Sequence, residues 1–125
     1  MTTLHFVLIA INYSATVFGM GEYYCGDYDK TPEPCTNGAI TASGEVFNPD
    51  ELVAAVPMPR NRILRVAEIK IRAHNGECLT IRVNDKKHER FIGNSGLDLS
   101  PATVEAITGT PATKHWSGRV SICAM

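Results

Sequence analysis

The chain has 125 residues, of which 44% are hydrophobic and 20% charged, and its formal net charge is −1. This length is enough for one domain with a single core and too short for two. The nearly balanced charge gives no electrostatic basis for binding nucleic acid or an anionic membrane. We therefore expect neither kind of partner.

The cysteines are the first clue to where the protein works. Their even number favours two disulfides, for which three connectivities are possible, and the alternative is four buried thiols in a reducing compartment. We take Cys25–Cys35 with Cys78–Cys123 as the working assignment. No CxxC pair or Cys/His zinc spacing occurs, so the sequence predicts no metal site. Two disulfides would place the protein outside the cytoplasm, secreted or periplasmic, or on a virion.

Residues 1–20 begin with an apolar run, residues 4–11, that is too short to span a bilayer. The run has the length of a signal-peptide core, and small residues follow near Ala15 and Gly19. However, no Lys or Arg precedes Lys30, so the usual basic start is missing. Residues 1–20 are therefore either a signal peptide or an N-terminal extension. We expect the domain to occupy residues 21–125, with no transmembrane segment.

The next part of the chain contains turn and helix signals. Residues 22–25 are typical of a short strand, and residues 26–37 of a loop that a Cys25–Cys35 bridge would close. Residues 48–51 (Asn-Pro-Asp-Glu) resemble a helix start with an N-cap, a proline and a capping-box glutamate. We predict a short helix from there to Ala55, ended by Pro57.

Two adjacent strands are predicted after this helix. Residues 62–66 have a strand composition, and residues 67–74 alternate apolar and polar side chains. Asn75-Gly76 is the strongest hairpin signal in the chain and joins this segment to a strand over residues 77–84. Asp85 is expected at the end of that strand, where its side chain faces a loop.

A helix is predicted after the second candidate carboxylate, Asp98. Ser100 can serve as its N-cap, Pro101 as its first residue and Gly109 as its end. Residues 118–124 are typical of a last strand. Several short strands with short helical inserts predict a small, mostly β barrel.

Several fragments, taken together and in order, resemble the RlpA-like double-psi β-barrel family. The similarity covers roughly residues 21–123. The fragments are residues 21–24 (Gly-Glu-Tyr-Tyr), 41–49 (Thr-Ala-Ser-Gly-Glu-Val-Phe-Asn-Pro), 52–55 (Leu-Val-Ala-Ala), 82–85 (Arg-Val-Asn-Asp), 97–100 (Leu-Asp-Leu-Ser) and 118–120 (Gly-Arg-Val).

The resemblance implies a six-stranded double-psi β-barrel that acts on cell-wall glycans. Bacterial members of the family are lytic transglycosylases that cut peptidoglycan, and relatives include expansins and family-45 endoglucanases. Asp85 matches the acid/base aspartate of the transglycosylases. Asp98 matches an aspartate in the polysaccharide groove of the relatives. Acid catalysis at a glycosidic bond needs no cofactor, so none is expected.

Two departures from the family pattern leave other functions open. Val56 stands where the family has a histidine, and Lys86-Lys87-His88 replaces the usual Arg-Gly-Pro. His88 or His115 are the candidates for a replacement histidine. The departures favour two alternatives: a non-catalytic, expansin-like polysaccharide-binding module, or a structural virion component of a phage tail or baseplate that contacts other virion proteins.

The predicted site combines the two aspartates with side chains that could contact a wall polysaccharide. If the carboxylates share a groove, like-charge repulsion raises one pKa and provides the neutral acid that the reaction needs. Alternatively, Asp85 forms a turn and Asp98 favours the helix N-terminus. The candidate substrate-binding residues, which could instead be core or turn residues, are Thr41, Ser43, Tyr24, Asn84 and Trp116.

Overall fold

The computed structural model describes residues 12–20, 23–27, 32–59, 61–88 and 96–123. These residues form a mostly β structure, as the sequence predicts, with one short helix where the sequence predicts two. The elements are β1 (Asn12–Val17), β2 (Tyr24–Cys25), β3 (Glu33–Pro34), β4 (Val53–Pro57), β5 (Ala67–Arg72), β6 (Cys78–Lys87), β7 (Leu97–Leu99), α1 (Pro101–Thr108) and β8 (Ser117–Ser121).

Six strands form one curled, half-barrel sheet in the order β5-β6-β4-β7-β1-β8. The β4–β6 and β1–β7 pairs are parallel, and the other neighbours are antiparallel. The curl brings the two outer strands together: Cys123 N donates to Lys70 O at 2.9 Å, and Ile71 forms a β-bridge with Ile122. β2 and β3 pair separately as a two-stranded ribbon.

The central strand β4 is buried on both of its faces. Ala54 and Val56 belong to the main core, together with apolar side chains of the other strands and α1. Val53 and Ala55 belong to a second, smaller cluster. The other members of that cluster are Phe18, Cys25, Cys35, Ala39 and Phe47.

The prediction of a helix over residues 48–55 is wrong. Asn48 instead forms a turn, in which its side chain accepts from Asp50 N at 2.9 Å and its carbonyl from Glu51 N at 3.1 Å. The apolar run that follows is strand β4. A continuous apolar run suits a strand whose two faces are both covered, and pairing with β6 and β7 outweighs the local helix-start signal.

The predicted hairpin at Asn75-Gly76 is confirmed, with β5 and β6 paired in antiparallel register up to Arg72 and Cys78. Gly76 has a φ of 90°, in the left-handed region that glycine adopts without strain. The strand on the far side is longer than expected because β6 continues through Asp85 to Lys87. Residues 62–66, which have a strand composition, form no strand in the described part of the chain.

Helix α1 has the predicted boundaries. Ser100 is the N-cap, Pro101 follows it, and Gly109 ends the helix in the left-handed conformation, with φ of 78°. At the other end of the chain, β1 lies in the sheet between β7 and β8, so the domain includes residues that we expected to precede it. The apolar run 4–11 lies outside the described residues.

Both predicted disulfides, Cys25–Cys35 and Cys78–Cys123, are present. The first links β2 to the residue after β3. The second links Cys78, at the start of β6, to Cys123, whose backbone N–H donates to Lys70 O on β5. Within the described ranges, no helix has the length and apolar character needed to cross a bilayer.

Ser100→Ala should lower the free energy of unfolding by about 2 kcal/mol, because a buried hydroxyl with several bonds is lost. Ser100 Oγ accepts from Thr103 N and Val53 N, both at 3.3 Å, and donates to Glu51 O at 2.7 Å. Urea unfolding measures the change, with Ser117→Ala at an exposed position as the control. Equal stability of the two variants would contradict this role of Ser100.

Candidate functional site

A β-bulge in β6 determines where the Asp85 side chain points. Along the parallel β4–β6 pair, Ala54 is opposite Val83 but Ala55 is opposite Asp85, so Asn84 is the extra residue. Val83 lies in the main core. Without the bulge, regular alternation would direct Asp85 to that same face. The bulge instead directs it to the face of Ala55, where the second cluster lies.

The pairing register places Asp85 and Asp98 on either side of Ala55. Ala55 pairs with Asp85 on β6 and with Asp98 on β7, and Asp98 in turn pairs with Thr16 on β1. Paired residues on neighbouring strands present their side chains on the same face. Two strand spacings put the Cα atoms of the aspartates about 10 Å apart. We refer to Asp85, Ala55, Asp98 and Thr16 as the aspartate row.

The Asp85 carboxylate is fully buried and accepts backbone N–H groups from three segments. Gly26 N lies 3.0 Å from Oδ1 and 3.3 Å from Oδ2, and Ala42 N and Lys86 N each lie 2.9 Å from Oδ1. The prediction that Asp85 lies at the end of its strand is wrong, because β6 continues to Lys87. Its side chain does face loops, since the Gly26 and Ala42 segments both donate to the carboxyl.

Burial raises the pKa of Asp85 from 3.8 to about 7. The three backbone N–H donors oppose this shift, because they stabilise the carboxylate, and the negative charge of Asp98 adds to it. Near neutral pH a large fraction of the molecules therefore has Asp85 protonated. This is the neutral acid that the two-aspartate hypothesis requires, although burial contributes more to it than the neighbouring charge.

Asp98 is also buried but has charged and polar partners. Its Oδ1 accepts from Lys87 Nζ at 3.0 Å and from Thr16 Oγ1 at 2.7 Å. Burial raises the pKa of Asp98, and the Lys87 ammonium and the Thr16 hydroxyl oppose that rise. The two aspartates therefore have different environments: one carboxyl surrounded by amides, and one in a salt bridge.

Three pockets follow one another along the surface next to the aspartate row. One of about 200 Å³ is lined by Thr16, Tyr23 and Lys87 among others, and one of about 240 Å³ shares Tyr23 and Lys87 with it. The second is also lined by Asp98 and by Gly26, which it shares with a third pocket of about 440 Å³. Neighbouring pockets share lining residues, and we refer to the three pockets together as the groove.

Among the predicted substrate-binding residues, Tyr24 is best placed to meet a ligand. Its side chain is 66% exposed and lines the 240 Å³ pocket next to Asp98. The neighbouring Tyr23 is 40% exposed and lines two of the three pockets. The groove thus has two accessible aromatic rings, a common feature of surfaces that stack on flat, partly apolar ligands.

The other candidates have mainly structural contacts. Thr41 is buried in a turn where its hydroxyl hydrogen-bonds Ser43 Oγ at 2.9 Å and Glu45 O at 3.0 Å, although Thr41 also lines the largest of the three pockets. Asn84, the bulge residue, is buried and donates to Glu45 at 3.1 Å. Trp116 packs against the main core and lines none of the three pockets.

Val56 and the two candidate histidines occupy three different environments. Val56 is fully buried in the main core, on the face of β4 opposite Ala55. His88 lines the 240 Å³ pocket with Asp98. His115 is exposed and lines none of the three pockets. His88 is therefore the histidine that the fold brings to the groove.

One group of potential metal-ligand atoms occurs among the described residues. The sulfurs of Cys25 and Cys35 and a carboxylate oxygen of Asp85 lie within 4.8 Å of one another. Because the two sulfurs are bonded to each other, they are not available as thiolate ligands in this state. The cluster places a disulfide against the Asp85 carboxyl.

Sequence reasoning missed four contributors to the site. These are Lys87, Thr16, which precedes the expected start of the domain, and the backbone amides of Gly26 and Ala42. The available signal for Ala42 is the small-residue segment 40–47, whose backbone can approach another group closely. The bulge that brings all of these together has no sequence signature of its own.

No protein-family model matches this chain, and no curated protein is significantly similar to it.

The free energy of unfolding of wild type should fall as pH rises from 4 to 7, and Asp85→Asn should abolish this fall. With a folded-state pKa of about 7 and an unfolded-state value of 3.8, the folded chain holds a proton that the unfolded chain releases. This contribution to stability is complete below pH 3.8 and is lost as pH rises through 7. The wild-type free energy of unfolding should therefore fall, relative to the variant, by up to about 4 kcal/mol.

Urea unfolding at a series of pH values measures that difference. Asp50→Asn, which changes an exposed aspartate, is the matched control and should show no comparable pH dependence. A constant difference between wild type and Asp85→Asn from pH 4 to 8 would rule out a raised pKa at Asp85.

Lys87→Met should raise the pKa of Asp98 further, because a buried carboxylate loses its cation. Once Asp98 is neutral, its charge no longer raises the pKa of Asp85, which should fall. Carboxyl carbon NMR titrations report both changes, and Lys70→Met on the exposed face of β5 is the control. Unchanged titration of Asp98 would show that the salt bridge does not form in solution.

Proposed function

We propose that this protein acts on cell-wall glycans as a peptidoglycan lytic transglycosylase, with Asp85 as general acid and base and Asp98 as its charged neighbour. The observation that carries the proposal is the pair of unlike carboxyls around Ala55. One has a pKa of about 7 and is covered by Gly26 and Ala42, which line pockets of the groove; the other is held by Lys87 and lines one of these pockets itself.

The proposed reaction uses one carboxyl twice. Protonated Asp85 donates its proton to the glycosidic oxygen as the bond to the anomeric carbon breaks. The carboxylate then accepts the proton of the sugar's own 6-hydroxyl, whose oxygen bonds the anomeric carbon and gives an anhydro product. No water is consumed, so a second carboxyl that activates water is not needed. A pKa near 7 suits a group that must both give and take a proton.

Access to Asp85 requires a local movement. The carboxyl is fully buried beneath Gly26, whereas Asp98 lines the pocket directly. A glycan that displaces the Gly26 segment while excluding water would keep the carboxyl neutral and bring it to the scissile bond. The exposed rings of Tyr23 and Tyr24 are the proposed stacking surface for the sugar rings on either side.

We further propose that the curled sheet is part of a double-psi β-barrel. Support comes from the two parallel pairs, β4–β6 and β1–β7, and from the contacts between the outer strands β5 and β8. The Cys78–Cys123 disulfide links β6, which pairs with β5, to the segment after β8. Two disulfides also support an extracytoplasmic location, where a wall glycan would be met.

A non-catalytic, polysaccharide-binding module is the second candidate. It is favoured by the complete burial of Asp85 and by Val56, which occupies the place of the family histidine and faces the main core. Binding through the groove would need the tyrosines and Asp98 but no proton transfer. The two candidates therefore differ in whether glycan fragments are released.

Incubation with peptidoglycan sacculi, intact and stripped of stem peptides, distinguishes the two functions when products are analysed by mass. Wild type should release anhydro-muropeptides, and Asp85→Asn should lower the rate by at least about a hundredfold, because general acid–base catalysis contributes that much. Asp50→Asn is the control for folding and surface charge. Sedimentation with sacculi without released fragments would establish binding alone. A protein that neither releases fragments nor sediments with sacculi would contradict both proposals.

A further inference from the structure

The Cys25–Cys35 disulfide is in contact range of the Asp85 carboxyl. Its two sulfurs and a carboxylate oxygen lie within 4.8 Å of one another, and all three residues are fully buried. The residue after Cys25 is Gly26, whose N–H is shared by both oxygens of that carboxylate. The disulfide and the hydrogen bond therefore belong to the same short segment.

The backbone pairing of this segment is short among the described residues. β2 and β3 form a two-stranded ribbon in which Tyr24 pairs with Pro34 and Cys25 with Glu33. Noncovalent contacts also hold it: the two cysteines pack in the second cluster, and Asp27 pairs with Lys86. A ribbon of this length is not stable by itself, and the disulfide is the covalent constraint that links its two strands next to Gly26.

We infer that the Cys25–Cys35 disulfide is a redox switch for the aspartate row: intact, it keeps the β2–β3 ribbon over Asp85, and its reduction by a dithiol releases the ribbon and admits water to the carboxyl. Local opening of the short ribbon gives the reductant access to the buried sulfurs. Its effect on glycan cleavage rests on the proposed function, whereas the coupling between disulfide and carboxyl does not.

The redox step is ordinary thiol–disulfide exchange. A thiolate of the dithiol attacks one sulfur, the Cys25–Cys35 bond breaks, and a mixed disulfide forms. The second thiolate of the reductant then attacks the reductant's own sulfur in the mixed disulfide and releases the cysteine that was bonded to it. Two electrons and two protons pass from the dithiol to the protein, giving two cysteine thiols and a cyclic disulfide of the reductant.

Opening the ribbon changes the charge state of Asp85 in a defined direction. Burial is the largest influence on its pKa, so hydration should lower that pKa from about 7 towards 3.8. Loss of the Gly26 N–H acts the other way but is a smaller effect. The charged groups nearby are Asp98 on β7, which has Lys87 as its partner, and Asp27 after β2, which has Lys86 as its partner.

Coupling between two equilibria is reciprocal, so the charge of Asp85 must also affect the disulfide. Reduction adds two protons to the protein, one to each thiol, and the dithiol supplies both. Between the reduced-state pKa of Asp85 and pH 7, hydration of the carboxyl releases one proton, so the exchange as a whole releases one proton to solution. The exchange equilibrium should thus shift towards the reduced protein about tenfold per pH unit in this window, instead of being independent of pH.

The first experiment measures the Asp85 carboxyl by NMR titration. In oxidised wild type its pKa should be near 7, and in Cys25→Ala/Cys35→Ala it should fall by more than one unit. The matched control, Cys78→Ala/Cys123→Ala, removes a disulfide whose Cys78 lies seven strand residues from Asp85, about 23 Å away. The control should titrate as wild type, and an equal pKa in all three proteins would overturn the inference.

The second experiment needs no variant at Cys25 or Cys35 and decides the question if that double variant does not fold. The Cys78→Ala/Cys123→Ala protein is equilibrated with a dithiol redox buffer at pH 4.5 to 8, and the fraction reduced is measured by thiol labelling. Below pH 7 the reduced fraction should correspond to release of one proton per disulfide reduced, and to none with Asp85→Asn added. A reduction equilibrium that is independent of pH in both proteins would overturn the inference.

The outcomes also separate this inference from the proposed function. On reduction, the Cys78→Ala/Cys123→Ala protein should lose release of anhydro-muropeptides, in step with the fall in the Asp85 pKa. Redox coupling in a protein that never cleaves sacculi would contradict only the proposed function. Equal cleavage by oxidised and reduced protein, with one pKa for both states, would contradict only the switch.

Discussion

The β-bulge at Asn84 is the constraint on which the site depends. Regular alternation along β6 would put the Asp85 carboxyl into the main core beside Val83, where an unpaired carboxyl is costly. One extra residue redirects it to the opposite face, opposite Ala55 and two strands from Asp98. There, the small side chain of Ala55 leaves space between the carboxyls, and the Gly26 and Ala42 amides complete the environment. Every later feature of the site follows from this change of face.

Much of the architecture could be predicted from local sequence signals. The Asn75-Gly76 hairpin, helix α1 with its Ser100 cap and the mostly β class each depend on residues close together in the chain. The helix expected before Ala55 failed for the opposite reason. The helix-start signal at residues 48–51 is local. The residues that bury both faces of β4 and pair with it on β6 and β7 are distant in sequence, and this pairing outweighs a weak helix preference.

The two aspartates could be selected from the sequence, but their environments could not. Position after an alternating strand and before a helix start identifies Asp85 and Asp98 as candidates. Which one is ion-paired depends on Lys87 being brought to Asp98 across β4, a consequence of register. Likewise, the pKa of about 7 at Asp85 results from two loops that close over it. From the sequence, Asp98 could stabilise a helix terminus and Asp85 could form a turn. In the structure, the main partners of Asp98 are Lys87 and Thr16, and those of Asp85 are backbone amides.

The closeness of β5 and β8 has a consequence for how this protein behaves at high concentration. An open sheet presents unpaired backbone groups along its outer strands, and these can add strands from other molecules. Here the curl directs the two edges towards each other, the Cys123 amide donates to Lys70 O on β5, and the Cys78–Cys123 disulfide ties Cys123 to the neighbouring strand β6. The same cross-link that stabilises the fold therefore protects against edge-to-edge aggregation. A protein handled in strong reductant would lose this protection at the sheet edges.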